Sequence, residues 1–413
     1  MSAPDAPGKL IAGKYELLMA AGEGGMAVVW KAIARGAGSF AKQVAVKRIQ
    51  AGKTADPSFI KMFEEEARVG SQLEHPNIVH IMDFGREDDG GYYLVMEWCE
   101  GLDMFQWVRS FQRPTAPGHV PRATPWPLVA AIGIEVLRGL SAAHERVMAD
   151  GTSAPVYHRD VSPSNILLGV NGTVKLTDFG LARAMDRASM TRPNVIKGKL
   201  AYCAPELITG AKPSARSDIF ALGVVLWEAL AQRRLFAGKN DLEVLLAVRK
   251  GDVPDLRVER PDVPPTLAEV IASSLAQNPD ERFQNAREMA RALASVLRTT
   301  TEQADAEPLG ASVKAARIRL GKEMLDPSKT APGTVAAAAL AAATAPAPKI
   351  EVAPLEPEKS SEDLSISDVE VVEAELTKRK NVETPVEGGA RPPKGLFKNE
   401  GPSTAMPLVQ KKK

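Results

Sequence analysis

The chain has 413 residues, 44% hydrophobic and 25% charged, an ordinary balance for a folded protein in water. Its 52 lysines and arginines offset 51 acidic residues, so a net charge of +1 gives no general affinity for polyanions such as nucleic acid. Cys99 and Cys203 lie far apart without metal-type spacing and read as free thiols of a reducing compartment.

The first nine residues carry no apolar core of a signal peptide, and none is expected. The longest apolar tract, the alanine run at 335–343, is far shorter than a membrane span. A cytoplasmic protein without membrane partners is expected.

From Tyr15 to Ile49 the sequence alternates, carries β-branched residues and clusters glycines at Gly22, Gly24 and Gly25, reading as a hairpin followed by a third strand. Without Cβ atoms, backbone of this kind folds tightly over phosphates; alone, it is equally an ordinary hairpin turn. Val44-Ala45-Val46-Lys47 follows. Asp56-Pro57 signals a helix start, and the helix runs through Glu64-Glu65-Glu66 towards Leu73. Pro76 closes it, and His75, with no carboxylate or cysteine at metal spacing, reads as a structural hydrogen-bonding residue. Tyr92 to Trp98 is a strand leading into Cys99-Glu100-Gly101, and 110–127 an irregular surface insertion before a helix at 127–147.

Tyr157-His158-Arg159-Asp160-Val161-Ser162-Pro163-Ser164-Asn165 puts a carboxylate and a carboxamide on a short loop that enters an apolar strand. A carboxylate there accepts a hydroxyl proton, and a carboxamide oxygen holds a hard cation. After a hairpin turn at Gly169–Gly172, a strand delivers Asp178-Phe179-Gly180. A polar stretch ends in Ala204-Pro205-Glu206, Asp218 opens an apolar helix, and Arg282 follows Asn278-Pro279. Beyond Leu297 the composition turns to Ala, Pro, Glu, Lys and Ser, which reads as a disordered tail with at most a short amphipathic turn at 313–320. The serine-rich acidic stretch 360–368 is either a phospho-dependent docking segment or plain linker.

Taken in order, these stretches resemble the G-x-G-x-x-G-x-V loop, V-A-I-K, H-R-D-L-x-x-x-N, D-F-G and A-P-E of protein kinases. Gly24-Gly25-Met26 resembles the bacterial eukaryotic-like (Hanks-type) serine/threonine branch. Ala27 stands where the third glycine belongs, and Val161 in the leucine position. The resemblance implies an α+β fold of two lobes, a small mostly antiparallel lobe at 15–98 with one main helix and a larger helical lobe at 99–297. An N-terminal extension at 1–14 and a low-complexity tail at 298–413 flank them. It also implies ATP and Mg²⁺, protein serine/threonine substrates, autophosphorylation and intracellular signalling.

Residue by residue, the resemblance implies that Ala21, Gly22, Glu23, Gly24, Gly25, Met26, Ala27, Val28, Val29 and Ala45 enclose the nucleotide. Met96 would be the gatekeeper, with the Glu97 carbonyl and Cys99 amide reading the purine edge. Lys47 would aim the α/β-phosphates, paired with Glu66, or with Glu65 if the helix phase differs. Asp160 would take the acceptor proton, and Asn165 and Asp178 would hold the metals. Arg159 would anchor a phosphorylated residue, Thr191 first and Ser189 second. Asp218 would brace the catalytic loop, and Arg282 would pair with Glu206.

Two departures are chemical. Ser162 stands where the family usually has a phosphate-contacting lysine, and Gly198-Lys199 where it has Gly-Thr. Either Lys199 supplies the missing cation or it faces solvent and the loop runs slower; in both cases the serine/threonine assignment loosens. The alternative from another class is a pseudokinase-like scaffold that binds partners through the tail.

Overall fold

Period-two burial sets the architecture of the N-terminal half. In the computed structural model the described residues are 5–24, 27–49, 57–88, 90–112, 122–179 and 199–322. Strands β1 (Leu10–Ile11), β2 (Tyr15–Glu23), β3 (Ala27–Arg35), β4 (Ala41–Ile49), β5 (Ile81–Arg86) and β6 (Tyr92–Glu97) form one antiparallel sheet in the order β1-β2-β3-β4-β6-β5. Successive side chains on a strand take opposite faces. Val44 and Val46 therefore join Tyr15, Leu17, Trp30 and Val95 on one face, while Ala45 and Ile49 join Phe63 and Ala67 of helix α1 (Pro57–Gly70) on the other. Strand β1 extends the sheet into the stretch expected as an extension.

After β6 the chain crosses to the second lobe. Strands β7 (Gly101–Asp103), β8 (Ile166–Gly169) and β9 (Val174–Leu176) make a small sheet beneath the crossing. Helices α2 (Met104–Gln112) and α3 (Trp126–His144) precede β8; α4 (Pro205–Ile208) and α5 (Ala215–Ala231) follow β9. Helix α5 is buried on all sides from Ser217 to Leu230, which marks the centre of the lobe. Helix α3 is the one helix among the described residues long and apolar enough to cross a membrane, but 72% of its apolar window is buried inside the lobe, as in a core helix. Helices α6 (Asp241–Lys250), α7 (Leu256–Glu259), α8 (Pro265–Ser274) and α9 (Ala286–Leu297) complete the rear.

The C-terminal boundary differs from the sequence-based expectation. Past Leu297 a further helix, α10 (Ala306–Arg319), starts at an Asp305 side chain that accepts from the Glu307 amide. Leu309, Val313 and Ala316 recur at helical spacing and are buried in the lobe's core, so the helix is held by apolar burial that a bulk composition average hides. Gly172, at φ +81°, lets it seat: a Cβ there would meet the Ala306 carbonyl oxygen at 1.8 Å. The remainder of the expected tail, 323–413 with its 360–368 stretch, lies outside the described residues.

At the rear, the Arg282 guanidinium makes two 2.8 Å bonds to the Glu206 carboxylate and further bonds to the carbonyls of Ala276 and Arg216. The Arg282 side chain is 0% exposed, so removing Glu206 strands its charge. Glu206→Ala is expected to cost about 3–5 kcal/mol in urea unfolding, whereas Arg216→Ala, at the exposed pair with Asp280, leaves the midpoint nearly unchanged.

Candidate active site

Lys47 lies on the face of β4 that also carries Ala45 and Ile49, the face turned to α1. It is buried, and its ammonium reaches the two Glu66 oxygens at 2.7 and 3.0 Å and Asp178 Oδ1 at 2.8 Å. Glu65 takes the other helix phase and pairs with Arg68 at the surface, so Glu66 is the lysine's partner. Burial alone would pull the Lys47 ammonium down, but the carboxylates of Asp178 and Glu66 outweigh it and hold the group charged. Burial pushes Asp178 up as well, and Lys47 reverses this to leave it well below the usual carboxylate range. Glu66, the deepest of the three, is pushed upward by burial, with Lys47 opposing and Asp178 adding to the rise.

The loop at 157–165 hangs on Asp218, at the start of α5. Its carboxylate accepts from the His158 amide, the Arg159 amide and His144 Nε2, all at 2.8 Å. These bonds hold Arg159 at φ 66°, a left-handed conformation that a non-glycine residue takes only under constraint. Asp178, at φ 63°, is in the same region. The buried His158 ring contacts the Thr177 carbonyl at 3.0 Å and packs on Phe179 at 4.4 Å between centroids; burial keeps its pKa low. One loop is thereby tied to the next.

Asp160 and Asn165 meet at the end of this loop. Asn165 Nδ2 donates to the Asp160 carbonyl and to Asp160 Oδ2, both at 2.8 Å. The amide nitrogen is thus used, which leaves the carboxamide oxygen for a cation. Among the described residues no cluster of three or more His, Cys, Asp or Glu side chains forms a cage. One anionic carboxylate, Asp178, and one carboxamide oxygen suit Mg²⁺, which completes its shell with phosphate oxygens and water.

Lys199, entering a short 3₁₀ turn at Leu200–Tyr202, places its ammonium on Asp160 Oδ2, with the side chain 42% exposed. Ser162 is buried, and its hydroxyl has no hydrogen-bond partner among the described residues. The cation near Asp160 therefore comes from Lys199 and not from the Ser162 position.

The glycine-rich stretch joins β2 to β3. The Gly24 amide bonds the Ala27 carbonyl at 2.9 Å. A Cβ on Gly22 would meet nothing within 4 Å, and one on Gly24 only the Ala27 oxygen at 3.6 Å. Packing within the protein does not demand these glycines; the open space over the backbone is what a phosphate chain needs. Ala21, Glu23 and Val28 belong to the same hairpin, where Gly22 faces Val29 and Glu23 faces Val28. Ala27 is buried opposite Ile49. Val29, and Leu167 of β8 from the other lobe, pack against the cluster that contains Ala45 and Met96. Sequence reading missed Leu167, whose signal was its alternate position in the strand after Asn165. At the crossing, the Glu97 carboxylate accepts from the His80 amide at 2.8 Å and Lys175 at 2.7 Å. Burial lifts the Cys99 thiol to about 11 and keeps it unreactive. Gly25, Met26, Gly180, Ser189, Thr191 and Gly198 lie outside the described residues, as does any phosphate partner of Arg159.

The protein kinase domain family matches residues 15–293. Curated relatives include a tyrosine-protein kinase, MasK, of Myxococcus xanthus, 40% identical over 73% of this chain and 46% of that protein. The serine/threonine-protein kinase PrkC of Bacillus subtilis is 33% identical over 68% of this chain and 40% of its own length. The serine/threonine-protein kinase PknA of Mycobacterium tuberculosis is 35% identical over 70% and 62%. The chain thus spans less than two thirds of these relatives. Among solved structures, the Mycobacterium tuberculosis PknI kinase domain aligns with a TM-score of 0.52 at 27% identity, covering 72% of this chain and 100% of that one.

Asp218→Ala would leave one buried and one part-buried amide and one imidazole nitrogen without an acceptor. A loss of about 3 kcal/mol or more in urea unfolding is expected, since each orphaned group costs about 1–3 kcal/mol. A loss below about 1 kcal/mol would show that the loop holds its shape without this brace.

Proposed function

The chain belongs to the protein kinase family, and on that premise we propose that it transfers the γ-phosphoryl group of ATP to serine and threonine hydroxyls of proteins, its own among them, in intracellular signalling. The observation that carries this reading is the convergence of Lys47, Glu66 and Asp178 on one buried cluster, next to a loop presenting Asp160 and Asn165. A scaffold without activity would have no use for so many desolvated charges in register.

Mg²⁺-ATP, when bound, supplies the transferable group and the cationic charge on its oxygens. Lys47, held by Glu66, aims the α/β-phosphates beneath the backbone of 21–29. Met96, Ala45, Val29 and Leu167 enclose the base, with the Glu97 carbonyl and Cys99 amide along its polar edge. Asp178 and Asn165 hold the metal. Asp160 orients the acceptor hydroxyl and receives its proton. Lys199, paired with Asp160, offsets the charge that develops on the transferring group, standing in for a lysine at position 162. Arg159 receives the phosphate of Thr191 or Ser189 through bidentate bonds. Protein substrates are its partners, and the cytoplasm its compartment.

A second reading, transfer to tyrosine, is favoured by the identity with MasK and by the absence of lysine at Ser162. Radiolabelled ATP followed by phosphoamino-acid analysis decides between the two. Phosphoserine and phosphothreonine are expected, on a tryptic region that includes Ser189 and Thr191, with none in Asp160→Asn. Phosphotyrosine alone would overturn the acceptor assignment.

Lys199→Ala is expected to lower kcat about 10²-fold with little change in KM for ATP, as for removal of one charge-stabilising donor. Adding Ser162→Lys to that variant is expected to restore about tenfold of the loss. A Lys199→Ala enzyme with an unchanged kcat sinks the cation's role.

A further inference from the structure

The lobe crossing carries an ion network, two buried cations around a half-buried carboxylate, that the phosphoryl-transfer reading does not use. At its centre is Glu100. Its Oε2 accepts from Lys31 Nζ of β3 at 2.8 Å and from the Trp98 indole nitrogen at 2.8 Å. Its Oε1 lies 2.7 Å from the guanidinium of Arg317, on α10, which also donates to the Gly101 carbonyl at 3.1 Å. The Lys31 side chain is 2% exposed and that of Arg317 7%, and the Lys31 ammonium stands 4.9 Å from the Trp98 ring centroid. Burial would raise the Glu100 carboxyl, yet Lys31, Trp98 and Arg317 together hold it below its ordinary range.

Three frames meet at this one side chain. Lys31 belongs to the strand beside the phosphate-binding turn, Trp98 to the crossing itself, and Arg317 to α10. The helix is fixed to the large lobe: the Trp107 indole donates to Ser312 Oγ at 3.0 Å, Arg319 to Ser110 Oγ at 3.0 Å, and Lys322 to Gln106 Oε1 at 2.6 Å. Apolar burial of Leu309, Val313 and Ala316 is enough to dock such a helix. Burying two cations beside it adds a desolvation cost that apolar side chains avoid, so the network contributes geometry more than stability.

We propose that Arg317 is a positioning residue for the nucleotide site: through Glu100 it fixes the angle at which the small lobe and the backbone of 97–101 meet the large lobe. The proposal rests on the reading of that backbone as the purine-binding edge. Helix α10 is accordingly part of the working domain, joined to the backbone of 97–101 by the Arg317 bonds to Glu100 and to the Gly101 carbonyl.

The test uses the full chain as wild type, Arg317→Gln, Arg317→Lys and Ser312→Ala. Ser312→Ala removes a bond that holds the same helix but does not touch the crossing. The readouts are binding of N-methylanthraniloyl-ADP with Mg²⁺, steady-state KM and kcat for ATP, melting temperature, and hydrogen–deuterium exchange at 97–101 and in β3. Arg317→Gln is expected to weaken nucleotide binding and raise KM about tenfold, with kcat within about twofold and faster exchange at the crossing. Arg317→Lys, which keeps the charge, is expected to recover most of the affinity. Ser312→Ala is expected to melt earlier yet bind nucleotide as wild type does. Wild-type affinity or wild-type exchange in Arg317→Gln overturns the proposal. So does Ser312→Ala weakening binding as much as Arg317→Gln. A wild-type chain that binds no nucleotide, alongside an Arg317→Gln crossing that exchanges faster, would uphold the brace and overturn the phosphoryl-transfer reading instead.

Discussion

An ammonium shut away from water between two carboxylates is the constraint the architecture satisfies. Taken singly, none of the three charges can be buried without a penalty of several kcal/mol; together they are stable only if a strand, a helix and a loop far apart in sequence arrive at one point. Lys47 comes from the sheet, Glu66 from the helix packed on it, and Asp178 from the loop after β9 in the other lobe. Asp218 solves the same problem with three donors from two segments, and Glu100 with two cations and an indole. Each of these hubs joins parts that apolar packing alone would leave free to slide.

The loops that carry Arg159 and Asp178 show how such hubs sustain strain. Arg159 and Asp178 occupy left-handed backbone conformations that cost about 1–3 kcal/mol each in a non-glycine residue. Asp218 and Lys47 supply the compensating bonds. The same economy of charge explains the pairing of Lys199 with Asp160. With Ser162 in the loop, the cation beside the Asp160 carboxylate reaches across from another segment.

The two-lobed fold and the residues that converge at the candidate site were legible because their signals are local. A lysine at the end of an apolar strand, a carboxylate and carboxamide five residues apart, and an aspartate ahead of Phe-Gly each stand out against their neighbours. Glu66 was legible as the lysine's partner only through the resemblance, since adjacent glutamates otherwise differ only in helix phase, and phase is set by packing on the sheet. Lys31 and Glu100 were not singled out; nothing in their own stretches announces a partner some seventy residues away. Of helix α10 only a short amphipathic turn at 313–320 was anticipated, for a different reason. Asp305, Leu309, Val313, Ala316 and Leu320 carry a cap and a helical period, but those few residues were averaged into more than a hundred of alanine- and proline-rich sequence.

The position of α10 bears on how the protein is cut for study. The family match stops at residue 293, inside α9 and ahead of α10. A fragment trimmed there uncovers an oily trench on the large lobe, deprives the Trp107 indole of its acceptor and leaves Glu100 with one cation in place of two. Such a fragment would be sticky in solution and slack between its lobes. Kinetic constants taken from it would describe a damaged machine, while an expression boundary set after Lys322 keeps the trench filled.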